Sequence, residues 1–192
     1  MKAHLNARDG LRKIYIAEIL VIASVFSSLF HNVLAVVFGL CAVCALVIRL
    51  LGIKKAALDN TDYQKAYSLV LFGLIANLVM LVVTVGSEGV DLGNIINTIE
   101  NVVNVFSTYI IIDATCALLD FNGRVELSAY GKATKKMYVL GYALAVLASI
   151  LMNMETLLGH TLTLIIGIVG LVLSILASIR YIIFLKRTYP VV

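Results

Sequence analysis

Seven polar side chains, Asn94, Asn97, Glu100, Asn101, Asn104, Ser107 and Thr108, recur every three or four residues through an otherwise apolar stretch. That spacing puts them on one face of a helix, with Ile95, Ile99, Val102, Val103 and Phe106 on the other. An amide left without a partner in hydrocarbon costs on the order of several kcal/mol, so the stripe must turn toward other helices or toward water. Such a face can line a cavity for a small polar solute or ion. Glu100 would be its charged ligand, and Asn77, in the preceding apolar run, an addition. The same amides can instead hydrogen-bond between helices, each pair contributing about 1 kcal/mol. The candidate ligand-binding residues are therefore Asn77, Asn97, Glu100, Asn101, Asn104 and Thr108.

A second constellation consists of charges set inside apolar runs: Glu18, Arg49, Asp113 and Arg180. A lone charge at the centre of a bilayer costs upwards of about 2.5 kcal/mol, so two acids and two bases at similar depth invite pairing. Glu18 with Arg49 is the natural pair within one hairpin, and Asp113 with Arg180 is the second expectation. Ion pairs that lock a bundle, with the arginines snorkelling, are favoured over a proton or ion relay.

Cys41-Ala-Val-Cys44 has the spacing of a redox pair. Membrane enzymes that use such a pair relay electrons through a second one, which Cys116 alone cannot supply. The cysteines are accordingly expected to be small core residues. Met152, Met154, His160 and His31 match no strong metal spacing, and no phosphate-binding loop, nucleophile elbow or dinucleotide fingerprint is present. No metal, cofactor or catalytic group is expected.

The elements that must carry these residues follow from composition. Of 192 residues, 61% are hydrophobic and 14% charged, with a mean hydropathy of +1.03, an excess that no soluble core of this size can hide. The expected fold class is therefore all-α, a polytopic transmembrane helical bundle. Spans are expected near residues 14–30, 33–52, 66–85, 95–119, 137–153 and 161–185, with an outer turn at Phe30-His31-Asn32.

The basic residues test that count. Lys2, Arg8, Arg12 and Lys13 precede the first span; Arg49, Lys54, Lys55 and Lys65 follow the second; Arg124, Lys132, Lys135 and Lys136 follow the fourth; Arg180, Lys186 and Arg187 end the sixth. The outer turns carry Glu88, Asp91 and Glu155 instead. Cytoplasmic loops of membrane proteins are enriched in Lys and Arg, so a cell-membrane protein with both termini cytoplasmic is expected. The net charge of +4 is thereby assigned to membrane orientation and not to nucleic acid.

Tyr15, Tyr63, Tyr67, Tyr130, Tyr138, Tyr181 and Tyr189 fall near the same span ends and read as headgroup anchors. Lys13-Ile-Tyr15, Lys65-Ala-Tyr67 and Lys136-Met-Tyr138 open the odd-numbered spans, a pattern that three parallel helical hairpins would give and that recurrent anchoring would give as well. Thr61 to Gln64 fits a capping box and Asn122-Gly123 a turn. The single proline, Pro190, leaves every span unkinked.

Small residues at helical spacing mark packing faces. The sixth span has Thr163, Gly167, Gly170, Ser174, Ala177 and Ser178; the second has Ala35, Gly39, Ala42 and Ala45. These stripes serve bundle packing or a membrane partner, including a second copy, so a non-catalytic packing module is the alternative function. In size, span number and topology the chain resembles the substrate-binding subunits of energy-coupling-factor vitamin importers. The Ala-x-x-x-Ala docking pattern common in those subunits is absent from Ile14 to Phe30, and the resemblance transfers no residue roles.

Overall fold

A computed structural model of the chain describes residues 4–25, 33–86, 93–153 and 160–192. It is all-helical: α1 (Leu5–Val25), α2 (Val33–Ala56), α3 (Asp62–Gly86), α4 (Gly93–Phe121), α5 (Val125–Asn153) and α6 (His160–Thr188), with no strand among the described residues. The expected turn at Phe30-His31-Asn32 lies outside those residues. Helices α1 and α5 begin 9 and 12 residues before the expected spans (14 − 5 and 137 − 125), because hydropathy marks the apolar portion of a helix and not its hydrogen-bonded end. Among the described residues two stretches, Asn101–Phe121 and Leu164–Thr188, are long and apolar enough to cross a membrane.

Each helix packs on the next in sequence, and α6 closes the cycle against α1. Neighbours run antiparallel: Gly10 meets Gly52 and Ala56, and one turn or more along, Glu18 meets Arg49. The buried core lies at the end where α1 begins and α6 finishes, and is built from Leu11, Ile14, Ile53, Tyr63, Ile111, Ile112, Leu119, Tyr181, Phe184 and Leu185. Tyr63 and Tyr181 are thus core residues and not surface anchors, since Tyr63 bonds Thr115 of α4 and Tyr181 packs on Tyr138 of α5.

The basic end is closed by two local devices. After α4, Gly123 adopts a φ of 72°, Gly123 N–H donates to the Asp120 carbonyl at 3.0 Å and Arg124 N–H to the Leu119 carbonyl at 2.8 Å, a left-handed helix stop at the expected Asn122-Gly123 turn. Before α3, the Asp62 N–H donates to Asn60 Oδ1 at 2.9 Å, so Asn60 is the cap and the expected Thr61 box does not form.

Next to Asn60, Asp59 caps a different helix. Its carboxylate accepts from Ala7 N–H at 2.7 Å and from Asn6 Nδ2 at 2.9 Å, satisfying the open start of α1 from 52 residues away. Partial burial pushes the Asp59 carboxyl up, but the bonds from Asn6 and Ala7 outweigh this and hold it below its ordinary value of 3.8. A depressed carboxyl stabilises the fold above its ordinary value and loses that contribution as pH falls through the folded one. Asp59→Ala is therefore expected to cost about 1 kcal/mol at neutral pH and little at pH values below the folded carboxyl, read as the difference in melting midpoint across a pH series. An equal deficit at every pH would rule out the charged cap.

Candidate functional site

At the level of Thr108 the bundle interior turns polar. The Arg49 side chain enters from α2 and is almost fully buried, at 8% exposure. Its Nη1 donates to Asn104 Oδ1 at 3.0 Å, and its Nη2 to Ser107 Oγ and to Thr108 Oγ1, each at 3.0 Å. All three acceptors lie on α4, so the polar stripe read from the sequence is held by a guanidinium whose flat fork can reach several acceptors together. From α1, Glu18 Oε1 stands 3.7 Å from Arg49 Nε, an ion pair too long for a hydrogen bond. Both atoms are buried without a hydrogen-bond partner.

Two phenols complete the cluster. Tyr138 of α5 and Tyr181 of α6 pack edge-on with centroids 6.4 Å apart, and the Tyr181 hydroxyl is buried with no partner. Below them Tyr63 and Thr115 share a 2.7 Å hydrogen bond, and Thr115 donates to the Ile111 carbonyl at 2.6 Å. All six helices therefore send a polar side chain into one small region.

Burial along α4 changes abruptly at this level. Ile111 and Thr115 are fully buried, and Asn104 precedes them by 7 and 11 residues on the same helix face, yet Asn104 is exposed. Asn101, in line with buried Thr108 and Ile112, is exposed as well. On α1, Val21 is 41% exposed although Ile14, two turns earlier on that face, is fully buried. Ala42 of α2 is exposed in line with buried Arg49. On three helices, positions in line with buried residues thus become exposed above Arg49.

Among the expected ligand residues, Asn104 and Thr108 are brought together by Arg49 and Asn101 lies one turn beyond. Asn77 on α3 is half-buried, with its Oδ1 buried and unpartnered. The side chains of Asn97 and Glu100 lie outside the described residues. Of the four charges set inside apolar runs, Glu18 and Arg49 pair as expected. Asp113 does not pair with Arg180: it faces outward from α4 and is held by Lys135 Nζ, while Arg180 stacks over the Tyr130 ring at 4.6 Å. Lys135 lies on α5, the packed neighbour of α4, and so reaches Asp113 without crossing the core.

The cysteines depart from expectation too. Only Cys116 is buried; Cys41 is half-buried and Cys44 exposed, all as free thiols. Among the described residues no group of three or more His, Cys, Asp or Glu converges as a metal site would require. The part of the site that the sequence did not disclose is Tyr138 and Tyr181, whose Tyr identities fit core, anchor and ligand equally well; Ser107 belongs to the stripe read from the sequence but is not among its expected ligands.

Compared with protein-family models, curated proteins and solved structures, the chain finds no match. The architectural resemblance to importer subunits is thus joined by no structural likeness. The small-residue stripes are used in part within the fold: a Cβ on Gly141 of α5 would lie 2.9 Å from Ser174 N, and Gly170 and Ala177 are buried. Gly167 is half-buried and Ser178 exposed, while the side chains of Ala35 and Gly39 lie outside the described residues.

Proposed function

We propose that the chain is a six-span cell-membrane protein, termini cytoplasmic, that binds or passes a small polar solute or ion through a cavity lined by α4. The observation that carries this reading is the exposure of Asn101 and Asn104 in line with buried Thr108, Ile111 and Thr115. Hydrocarbon cannot fill a gap lined by amides without leaving them unpaired, so the gap holds water or a polar ligand. Arg49 and Glu18 form its floor. Their charges cancel, which lets a neutral or weakly charged solute approach the amides without meeting an isolated ion, while Asn104 links solute and guanidinium.

The outward-facing apolar side chains support a lipid setting for the remaining helices. Leu40, Val43, Val47 and Leu51 of α2, and Phe72, Ile75, Leu78, Val79 and Val82 of α3, are all exposed, a continuous apolar exterior that water would not tolerate. The packing-module alternative draws on exposed Ser178, but Ser174, Gly170 and Ala177 already serve the bundle.

Thiol accessibility tests the cavity. In a chain with Cys41, Cys44 and Cys116 replaced by alanine, Asn101→Cys and Asn104→Cys are expected to react with a membrane-impermeant charged thiol reagent from the outer side. Ser107→Cys is expected to be protected, by at least tenfold in rate. Equal protection at all three positions would sink the open cavity and leave the amides as interhelical glue.

A further inference from the structure

Away from the α4 site, α1 carries a concave polar surface that holds a consistent charge. A cleft of about 430 Å³ at the basic end is lined by Arg8, Arg12 and Asp9 of α1, Lys55 of α2, Asn6, and Tyr189 beyond α6. Arg8 and Arg12 are four residues apart, so both guanidinium groups rise from one helix face. None of Arg8, Arg12 and Lys55 takes part in an ion pair among the described residues. With three cations against the one carboxylate of Asp9, the cleft retains two unbalanced positive charges (3 − 1).

The surface adjoining the cleft is apolar in a directed way. Along α1 the line of Arg8 and Arg12 continues at helical spacing into Ile16 and Ile19, 40% and 42% exposed. Along α2 the line of Lys55 continues into Leu51, Val47 and Leu40, which are 53%, 50% and 59% exposed. Cationic side chains at one end of two parallel apolar stripes match a molecule with an anionic head and two hydrocarbon tails. A free phosphate would use the head of this surface and leave the stripes idle.

We infer that the Arg8–Arg12–Lys55 cleft is a binding site for the phosphate headgroup of an anionic phospholipid whose acyl chains lie along α1 and α2. The two arginines clamp the phosphate oxygens and Lys55 adds a point charge from the side. Tyr189, stacked on Tyr15 with centroids 5.8 Å apart, supplies a phenol at headgroup level. Asn6 and Ala7 are already engaged by Asp59, which fixes the height of α1 against the α2–α3 connection and so the height of the clamp. The site rests on the membrane reading above but not on the solute cavity.

Native mass spectrometry tests it. The full chain is placed in nanodiscs of equal parts phosphatidylcholine and phosphatidylglycerol, released, and stripped by increasing collision energy. One phosphatidylglycerol is expected to persist when phosphatidylcholine has gone. The triple variant R8Q/R12Q/K55Q is expected to weaken that retention about fivefold per cation removed, on the order of 100-fold in all. Arg124→Gln, an exposed cation at the α4–α5 turn, should leave it unchanged. Equal retention of both lipids, equal loss with Arg124→Gln, or displacement of the lipid by inorganic phosphate alone would overturn the assignment. Recovery of the chain from cells in the soluble fraction without detergent would overturn it through the membrane reading instead, a separate failure.

Discussion

Arg49→Met is expected to destabilise the bundle by about 3–5 kcal/mol, a loss read as a large drop in melting midpoint of the detergent-purified protein. The guanidinium has 8% exposure and gives three hydrogen bonds to α4, so its removal leaves Ser107 and Thr108 buried without their donor. Glu18, 3.7 Å away, would then be a buried carboxylate with no cation. The deficit is dominated by those orphaned groups more than by any intrinsic strength of the pair, because taking two charges out of water offsets most of their attraction. It follows that E18L/R49M should recover much of what R49M loses, and that Glu18→Gln alone should be milder, since Arg49 keeps all three of its acceptors. Arg49→Lys should behave nearer to Met than to Arg, as one ammonium cannot span Asn104, Ser107 and Thr108 together. A single R49M variant as stable as the native chain would show that the cluster is not what holds α2 against α4.

The sequence discloses the polar stripe of α4, its partner charge and the pairing of Glu18 with Arg49, because each rests on a strong local rule. Helical spacing places Asn101, Asn104 and Thr108 on one face, and hairpin proximity brings Glu18 to Arg49. What it withholds depends on which helices become neighbours. Asp113 is set in an apolar run like Glu18, yet it faces outward to Lys135, and no single-helix periodicity separates the two cases. Tyr63 and Tyr181 share the positions of the half-buried tyrosines, and only the packing of α3 on α4 and of α5 on α6 buries them. Cys44 is apolar enough for the core and equally suited to a lipid-facing surface, so composition alone could not place it. The capping of α1 by Asp59 is a contact across 52 residues of chain and leaves no local motif to read.

Gly10→Val is expected to be the second most damaging substitution, although no polar chemistry is involved. A Cβ at Gly10 would lie 2.5 Å from the Gly52 carbonyl oxygen, 2.7 Å from Ala56 N and 2.8 Å from Ala56 Cβ. Two of those three atoms are backbone, which cannot rotate aside, so α1 and α2 must separate by the better part of an ångström. That separation strains packing by about 1–3 kcal/mol and moves the Glu18–Arg49 pair, which lies further along the same interface. Gly131→Ala offers the contrast. There a Cβ would meet Cys116 Sγ at 2.5 Å and the Phe184 ring at 2.7 Å, side-chain atoms that can turn away. The Gly131 variant should therefore lose less, and Cys116→Ala should restore part of the loss by removing the nearest atom. A double-mutant cycle between Gly10→Val and Glu18→Gln, read from melting midpoints, checks the link: coupling between the two shows that close backbone approach of α1 and α2 sets the Glu18–Arg49 distance. Independent, additive losses would confine the role of Gly10 to packing and leave the ion pair positioned by α4 alone.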